Sequence, residues 1–145
     1  MQSLKGGCAC KAVRYEVTAE PIVSGACYCR ACQYASGGAP AYAIMVLRSG
    51  VTVTGTPEVW WSVSDSGTKV AREFCGTCGT PLWSHNSGNP EVLALRAGSL
   101  DDPSVFQSAG SIWVSAAQPW HRIDRTLPQW DGNPEGPPKG EAANA

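Results

Sequence analysis

The seven cysteines of the chain are the side chains best suited to chemistry, and they fall into three groups. One pair lies at Cys8 and Cys10, a second pair lies at Cys75 and Cys78, and three more cysteines occur within residues 27–32. An odd number of thiols leaves one over in any disulfide framework. The N-terminus has no apolar signal-peptide core, so we expect a cytoplasmic protein, in which clustered cysteines bind metal or react.

Short-spaced cysteine pairs are typical of zinc sites, but spacing alone allows two groupings. In one, Cys29 and Cys32 join the downstream pair in an ordinary zinc ribbon, which leaves three cysteines unused. In the other, the two outer pairs form a closed four-ligand site and the middle group forms a three-ligand site with an open position. The second grouping uses every thiol, and we prefer it. Its ligands are Cys8, Cys10, Cys75 and Cys78 for the closed site, and Cys27, Cys29 and Cys32 for the open site.

Three cysteine ligands restrict the chemistry of such an open site. Three thiolates outweigh the charge of a divalent cation, so a bound water would be activated less than at a site of three histidines. Soft sulfur ligands favour a further soft ligand, such as the sulfur of a substrate. The three-cysteine group therefore favours thiol chemistry over hydrolysis.

The segments between the cysteines read as short strands separated by glycine and proline turns. Residues 12–18 alternate apolar and polar side chains, as in a half-buried strand, and residues 30–35 predict a short helix before Ser36-Gly37-Gly38. Further strands are expected at 41–47, 51–54, 58–63, 69–74, 81–84, 91–96 and 111–115. We therefore predict a mainly β fold, a small and largely antiparallel domain with few short helical turns.

Length and composition fit one domain of 145 residues, with 43% hydrophobic and 16% charged residues. We place this domain at residues 1–131 and expect a disordered tail over 132–145, which is rich in Pro and Gly and lacks large apolar side chains. A net charge of −1 gives no basic surface for nucleic acid or an anionic membrane. No run of about 18 apolar residues predicts a membrane span.

Several motifs resemble the glutathione-dependent formaldehyde-activating enzyme family, which includes the centromere protein V-like proteins. The resemblance extends in order from residue 4 to about residue 131. The similar segments are Gly-Gly-Cys-Ala-Cys at 6–10, Val-Arg-Tyr at 13–15, Cys-Tyr-Cys-Arg-Ala-Cys-Gln at 27–33, Phe-Cys-Gly-Thr-Cys-Gly-Thr-Pro-Leu-Trp at 74–83, Ala-Gly-Ser-Leu-Asp-Asp-Pro at 97–103, Pro-Trp at 119–120 and Leu-Pro-Gln-Trp at 127–130.

This resemblance implies a zinc-pinned β-tent and two Zn²⁺ ions per chain. It implies a structural zinc on the four cysteines of the closed site and a catalytic zinc on Cys27, Cys29 and Cys32. It also implies a carbon–sulfur lyase that joins glutathione and formaldehyde as S-(hydroxymethyl)glutathione. The sequence departs from the family at two positions: Tyr28 stands where the family often has His, and Lys11 where it often has Gly. Among the arginines, Arg30 lies within the three-cysteine segment and is our candidate for binding a glutathione carboxylate.

The remaining polar residues receive structural interpretations. We expect His85 and His121 to be hydrogen-bonded loop or surface residues, and Asp101-Asp102 to cap a turn. Two other functions remain open. One is a non-catalytic binding module on the same zinc-stabilised fold, and the other is a methionine sulfoxide reductase. The reductase needs a nucleophilic cysteine outside the metal groups, and no cysteine follows Cys78.

Overall fold

A computed structural model describes residues 3–139 of the chain. Its contacts divide the described residues into two compact units, one of residues 3–23 and 44–106 and the other of residues 24–43 and 107–139. The structure is mainly β with few short helices, which confirms the predicted fold class. Within the described residues, no helix is long and apolar enough to cross a membrane.

The first unit contains a small sheet in the order β1 (Leu4–Gly7), β2 (Arg14–Val17) and β5 (Val51–Thr54), with antiparallel pairing throughout. Strand β2 is shorter than the predicted segment 12–18. Strand β1 escaped prediction because four residues with two glycines carry little strand propensity. Gly6 is needed there, because a Cβ atom at this position would lie 2.4 Å from the Ser99 carbonyl oxygen and the Tyr15 hydroxyl.

The same unit contains an antiparallel run of four strands in the order β9, β8, β7 and β6. Their bounds are β6 (Glu58–Val63), β7 (Lys69–Phe74), β8 (Pro81–Asn86) and β9 (Asn89–Arg96). Buried side chains from both groups of strands form one core, which includes Tyr15, Leu82 and Leu95. Cys8 and Cys75 belong to this core, so two of the thiols are packed against apolar side chains.

The second unit holds the three-cysteine group. Strand β3 (Val23–Cys27), of which all but the first residue lies in this unit, pairs in parallel with β10 (Ser111–Ile112), an exception to the antiparallel pairing that we predicted. Helix α1 (Arg30–Ala35) follows with the predicted bounds, and β4 (Ala41–Leu47) leads from this unit into the first. The predicted strand at 111–115 ends early, because a 3₁₀ turn occupies Val114–Ala116.

The segment after residue 131 is described as far as residue 139. The Gly132 carbonyl accepts a hydrogen bond from the Trp113 backbone amide at 3.0 Å, and the Gly136 carbonyl accepts one from the Trp130 indole at 3.1 Å. The domain boundary at residue 131 and the disordered tail stay predictions, and residues 140–145 of that tail lie outside the described residues.

Candidate metal centres

Four cysteine sulfurs of the first unit converge on one point. Cys8 and Cys10 follow β1, Cys75 and Cys78 follow β7, and the four sulfurs all lie within 4.8 Å of one another. The Cys10 sulfur is 3.6 Å from the sulfurs of Cys8 and Cys75. Two thiolates bound tetrahedrally at zinc–sulfur distances of about 2.3 Å lie about 3.8 Å apart, whereas a disulfide needs about 2.05 Å. The spacing therefore fits one tetrahedral metal ion.

Backbone amides point at the buried sulfurs of this cluster. The Val13 amide donates to the Cys8 sulfur at 3.2 Å, and the amides of Thr77 and Cys78 lie 3.4 and 3.5 Å from the Cys75 sulfur. Hydrogen bonds from N–H groups favour the ionised form of a thiol. These turns therefore stabilise the thiolates that a metal ion requires.

The two exposed thiols of the cluster have opposite tendencies. The Thr80 hydroxyl, 3.2 Å from the Cys78 sulfur, lowers the pKa of Cys78 to about 5, together with backbone hydrogen bonds from Thr80 and Cys10. The Ala12 backbone amide lowers the pKa of Cys10, but the adjacent sulfur of Cys8, desolvation and the two remaining sulfurs outweigh it and raise the pKa to about 12. Full ionisation of the cluster thus requires a compensating positive charge, which a bound cation supplies.

The second unit brings the other three cysteines together. Cys27 ends β3, Cys29 is the N-cap of α1, and Cys32 lies in the first turn of that helix. Their sulfurs lie within 4.8 Å of one another, and the Cys32 amide donates to the Cys29 sulfur at 3.4 Å. The neighbouring sulfurs of Cys29 and Cys32, followed by burial, raise the pKa of Cys27 far above its usual range. A cation bound between the sulfurs removes this repulsion.

These two clusters fit metal ions in different ways. Both can hold a metal ion, and within residues 3–139 the clusters of this kind consist of cysteines alone. No disulfide joins any two of the seven cysteines, all of which lie in the described part of the chain. A four-ligand cluster closes the coordination sphere of zinc, while a three-ligand cluster leaves one position for a substrate or water.

His121 is hydrogen-bonded, as expected from the sequence, whereas His85 lies in strand β8 and not in a loop, with a largely buried side chain whose Nδ1 atom has no hydrogen-bond partner. Nδ1 of His121 accepts from the Gln118 amide at 2.8 Å, and Nε2 lies 2.7 Å from the Gly38 carbonyl oxygen, so Nε2 is the protonated nitrogen. Nδ1 of His85 lies 3.4 Å from a carboxylate oxygen of Glu73. Neither histidine is a member of a metal cluster in the described structure.

Tyr28 is packed rather than exposed at the three-cysteine cluster. Its side chain is 3% exposed, and its ring meets His121 edge-on with 5.1 Å between the ring centroids. Its hydroxyl donates to the Arg122 carbonyl at 3.5 Å. Burial raises the pKa of this hydroxyl, so Tyr28 stays neutral and contributes packing between the cysteine segment and residues 121–122.

The arginines differ in how fully their side chains are occupied. Arg14 forms a bidentate ion pair with Asp101, and Arg48 donates to the Pro90 carbonyl at 2.9 Å. The Arg30 guanidinium donates to the Gln33 side chain and lies 4.6 Å above the centre of the Tyr34 ring. Arg30 and Tyr34 are both exposed, so this guanidinium is anchored and still accessible to a ligand.

Sequence reasoning found the cysteines but missed the polar side chains that support them. Thr80 contacts the Cys78 sulfur and also accepts a hydrogen bond from the Ala9 amide at 3.1 Å. Gln33, which follows Cys32 directly, is 1% exposed and contacts both the cysteine segment and the loop after β10. A polar residue next to a predicted ligand is a weak signal, and only the folded geometry reveals these contacts.

Comparison with known proteins identifies the family of the chain. Residues 3–116 match the profile of the family described as glutathione-dependent formaldehyde-activating enzyme. The crystal structure of a Rhodobacter sphaeroides protein is similar with a TM-score of 0.52 and 26% identity, over 67% of this chain and 87% of that one. The comparison with curated proteins gives no match. The profile spans well over half of the chain, and the chain therefore belongs to the glutathione-dependent formaldehyde-activating enzyme family.

Proposed function

We propose that this protein is a zinc-dependent carbon–sulfur lyase that acts on the adduct of a small thiol, with glutathione and formaldehyde as the reacting pair. The observation that carries the proposal is the three-sulfur cluster, which is distinct from the four-sulfur cluster and leaves one coordination position of a zinc ion open. Membership of the family supports the choice of glutathione and formaldehyde. The two clusters support a stoichiometry of two zinc ions per chain.

The two groups of ligands have different tasks in this proposal. Cys8, Cys10, Cys75 and Cys78 hold a structural zinc that joins the turn after β1 to the turn after β7. Cys27, Cys29 and Cys32 hold the catalytic zinc. When bound there, zinc supplies a soft Lewis acid that favours the thiolate form of a substrate sulfur. The three sulfurs lie within 4.8 Å of one another, so a cation between them offsets the repulsion of three thiolates.

The reaction is an addition with no change in oxidation state overall. A bond forms between the glutathione sulfur and the formaldehyde carbon, the carbonyl double bond becomes a single bond, and the thiol proton ends on the new hydroxyl. The reverse reaction breaks the same carbon–sulfur bond and returns both reactants. The protein must therefore bind glutathione and orient its sulfur toward the open position of the cluster.

Arg30 is the side chain that we assign to glutathione binding. It begins α1, directly after the N-cap residue Cys29, so it lies beside the cluster. A guanidinium group has five N–H donors, and Gln33 accepts from one of its terminal nitrogens, which leaves donors for a carboxylate. Contact with the Tyr34 ring restricts its rotation, which lowers the entropy lost on binding. The proposal gives Tyr28 a packing role and no proton transfer.

The protein is further proposed to work in a reducing compartment such as the cytoplasm. The absence of disulfides among the seven cysteines supports this compartment, and metal binding requires the same reduced thiols. The proposed catalytic domain is residues 1–131, which contains both clusters and the whole of the family match.

Exchange spectroscopy by NMR tests the activity directly. With ¹³C-formaldehyde and glutathione at equilibrium, the exchange rate between free formaldehyde and the adduct is measured with and without the zinc-loaded protein. We expect the wild-type protein to accelerate exchange above the spontaneous rate, and Cys29→Ser to return it to that rate. The matched control is Ser36→Ala, at the C-cap of the same helix, where no sulfur ligand is lost. Wild-type exchange at the spontaneous rate, with both zinc ions bound, would instead indicate a non-catalytic binding module.

A further inference from the structure

One buried side chain connects the separate parts of the three-cysteine segment. Gln33 is 1% exposed, and its Nε2 atom donates to the Tyr28 carbonyl at 2.7 Å and to the Ala116 carbonyl at 3.0 Å. Its Oε1 atom accepts from the Gln118 side chain at 3.1 Å and from the Arg30 guanidinium. A glutamine amide has two donor hydrogens and two acceptor lone pairs, so every hydrogen-bonding position of Gln33 is used.

The position of these contacts relates Gln33 to all three sulfurs. The Tyr28 carbonyl belongs to the backbone that links Cys27 to Cys29, and Gln33 follows Cys32 on α1. One side chain thus ties the backbone between two ligands to the helix that carries the third. A fully satisfied buried amide is rigid, since moving a partner leaves a polar atom of the buried Gln33 side chain unpaired.

The neighbouring backbone is arranged to complete this junction. Trp113 adopts φ 57°, in the left-handed region that is unusual for a bulky residue. This conformation starts the 3₁₀ turn Val114–Ala116, whose last carbonyl accepts from Gln33. Strained backbone persists where surrounding contacts hold it, and it is often found at functional sites. The strained turn is therefore a second feature, independent of the side chain, that places an acceptor at Gln33.

We propose that Gln33 is a positioning residue with two effects: it sets the spacing of the three cysteine sulfurs and it orients the Arg30 guanidinium for the substrate. This inference rests on the proposed function for the role of Arg30, while the effect on the sulfurs applies to metal binding alone. Hydrogen-bonded groups that orient metal ligands typically contribute 10- to 100-fold to metal affinity or activity. Gln33 differs from such groups in acting on the backbone between ligands.

The test compares two glutamines of the same unit. Gln33→Met keeps the length of the side chain and removes all four hydrogen bonds. Gln129→Met is the matched control, because Gln129 is 2% exposed, donates to the Leu127 carbonyl and accepts from Arg125. Both variants lose a buried amide that is paired with a carbonyl and an arginine. Only Gln33 contacts the backbone between two of the cysteines.

Zinc retention is measured by native mass spectrometry while each holoprotein equilibrates with increasing concentrations of EDTA. We expect Gln33→Met to bind one of its two zinc ions with an affinity about 10- to 100-fold lower than that of the wild type. Gln129→Met should retain both ions as the wild type does. The double variant Gln33→Met/Cys29→Ser should lose no more zinc than Cys29→Ser alone. This result would place the weakly bound ion of Gln33→Met at the three-cysteine cluster. Equal retention in Gln33→Met and wild type, or equal loss in both glutamine variants, would overturn the proposal.

Gln33→Glu separates the two effects. Glutamate keeps an oxygen that accepts from Arg30, but its second oxygen faces the Tyr28 and Ala116 carbonyls, to which the Gln33 amide donates. Zinc retention in Gln33→Glu should therefore be weaker than in the wild type. With zinc in excess, the KM for glutathione should be closer to wild type in Gln33→Glu than in Gln33→Met. Identical KM values in both variants would refute the orientation of Arg30. If the wild type shows no turnover, the proposed function fails, and the zinc measurement still decides the effect of Gln33 on the cluster.

Discussion

Lys11 offers a direct test of the turn that carries the first two cysteines. It is an exposed residue with φ 67°, and its amide donates to the Cys8 carbonyl at 3.0 Å. A side chain with a Cβ atom is strained in this left-handed conformation, and glycine is not. This geometry explains why glycine suits this position in the family that the sequence resembles. We predict that Lys11→Gly stabilises the protein.

The size of the effect follows from two opposing contributions. The left-handed conformation costs an L-residue about 1–2 kcal/mol, and a glycine loses about 0.5–1 kcal/mol more conformational entropy on folding. The net gain in the free energy of unfolding is about 0.5–1 kcal/mol. For a domain of this size, about 1 kcal/mol corresponds to about 4 °C, so the melting temperature should rise by about 2–4 °C.

The assay is thermal unfolding of the zinc-loaded protein, followed by circular dichroism with the same zinc concentration for every variant. Lys11→Ala removes the charge but keeps the Cβ atom, so it should melt within about 1 °C of the wild type if the strain is the cause. Ala12→Gly, at the next exposed residue, has no positive φ to relieve and should lower the melting temperature. If Lys11→Gly and Lys11→Ala melt at the same temperature, the strained conformation does not exist in the protein.

Two further predictions concern the Arg14–Asp101 ion pair and the two glycines after α1. The hydrogen bonds and charge of Arg14 hold the pKa of Asp101 below its usual value, so the ion pair stabilises the fold at any pH above the usual pKa of Asp and loses this effect as the pH falls through the lowered pKa. In urea titrations, Asp101→Asn should be less stable than wild type at pH 7, and the stabilities of the two proteins should converge in acid. A stability difference that does not change with pH would contradict the pairing. Gly37 has φ 66°, so Gly37→Ala should lower the free energy of unfolding by about 1 kcal/mol. Gly38→Ala should lower it further in the same assay, because φ is 96° there and the new Cβ atom would lie 3.2 Å from the Trp120 ring. A smaller loss of stability for Gly38→Ala than for Gly37→Ala would contradict the close packing of Trp120.

The elements that the sequence predicts well are those with strong local signals. Helix α1 has the predicted bounds because Cys29 caps its start and the glycines end it. Strand β3 was missed, since its sequence Val-Ser-Gly-Ala-Cys has small residues with little strand propensity. It forms through its parallel pairing with β10, and Gly25 permits close approach to the Gly110 carbonyl, which would lie 3.0 Å from a Cβ atom at residue 25. Such pairing is a property of the fold and is not visible in a local segment.

The cysteine clusters could be predicted from the sequence, whereas the side chains that surround them could not. The residue type and the short spacing of the cysteines predict which of them group together, and the structure brings together the same two groups that the second grouping separates. The contacts of Gln33 and Thr80 join residues that are 83 and 71 positions apart, so no local pattern contains them. The packing role of Tyr28 was not predictable for the same reason. It depends on an edge-on contact with His121, which is distant in the sequence.

The number of zinc ions per chain tests most directly whether the chain holds one structural and one open zinc site. It is measured by native mass spectrometry on the wild type and on the variants Cys29→Ser and Cys75→Ser. The account predicts two zinc ions in the wild type. Cys29→Ser should retain one zinc and a folded circular-dichroism spectrum, because the structural cluster is intact. Cys75→Ser should lose the fold, since Cys75 is 1% exposed within the core and structural zinc sites contribute directly to folding. One zinc ion in the folded wild-type chain, or unfolding of Cys29→Ser together with a folded Cys75→Ser, would contradict the division into a structural and an open site.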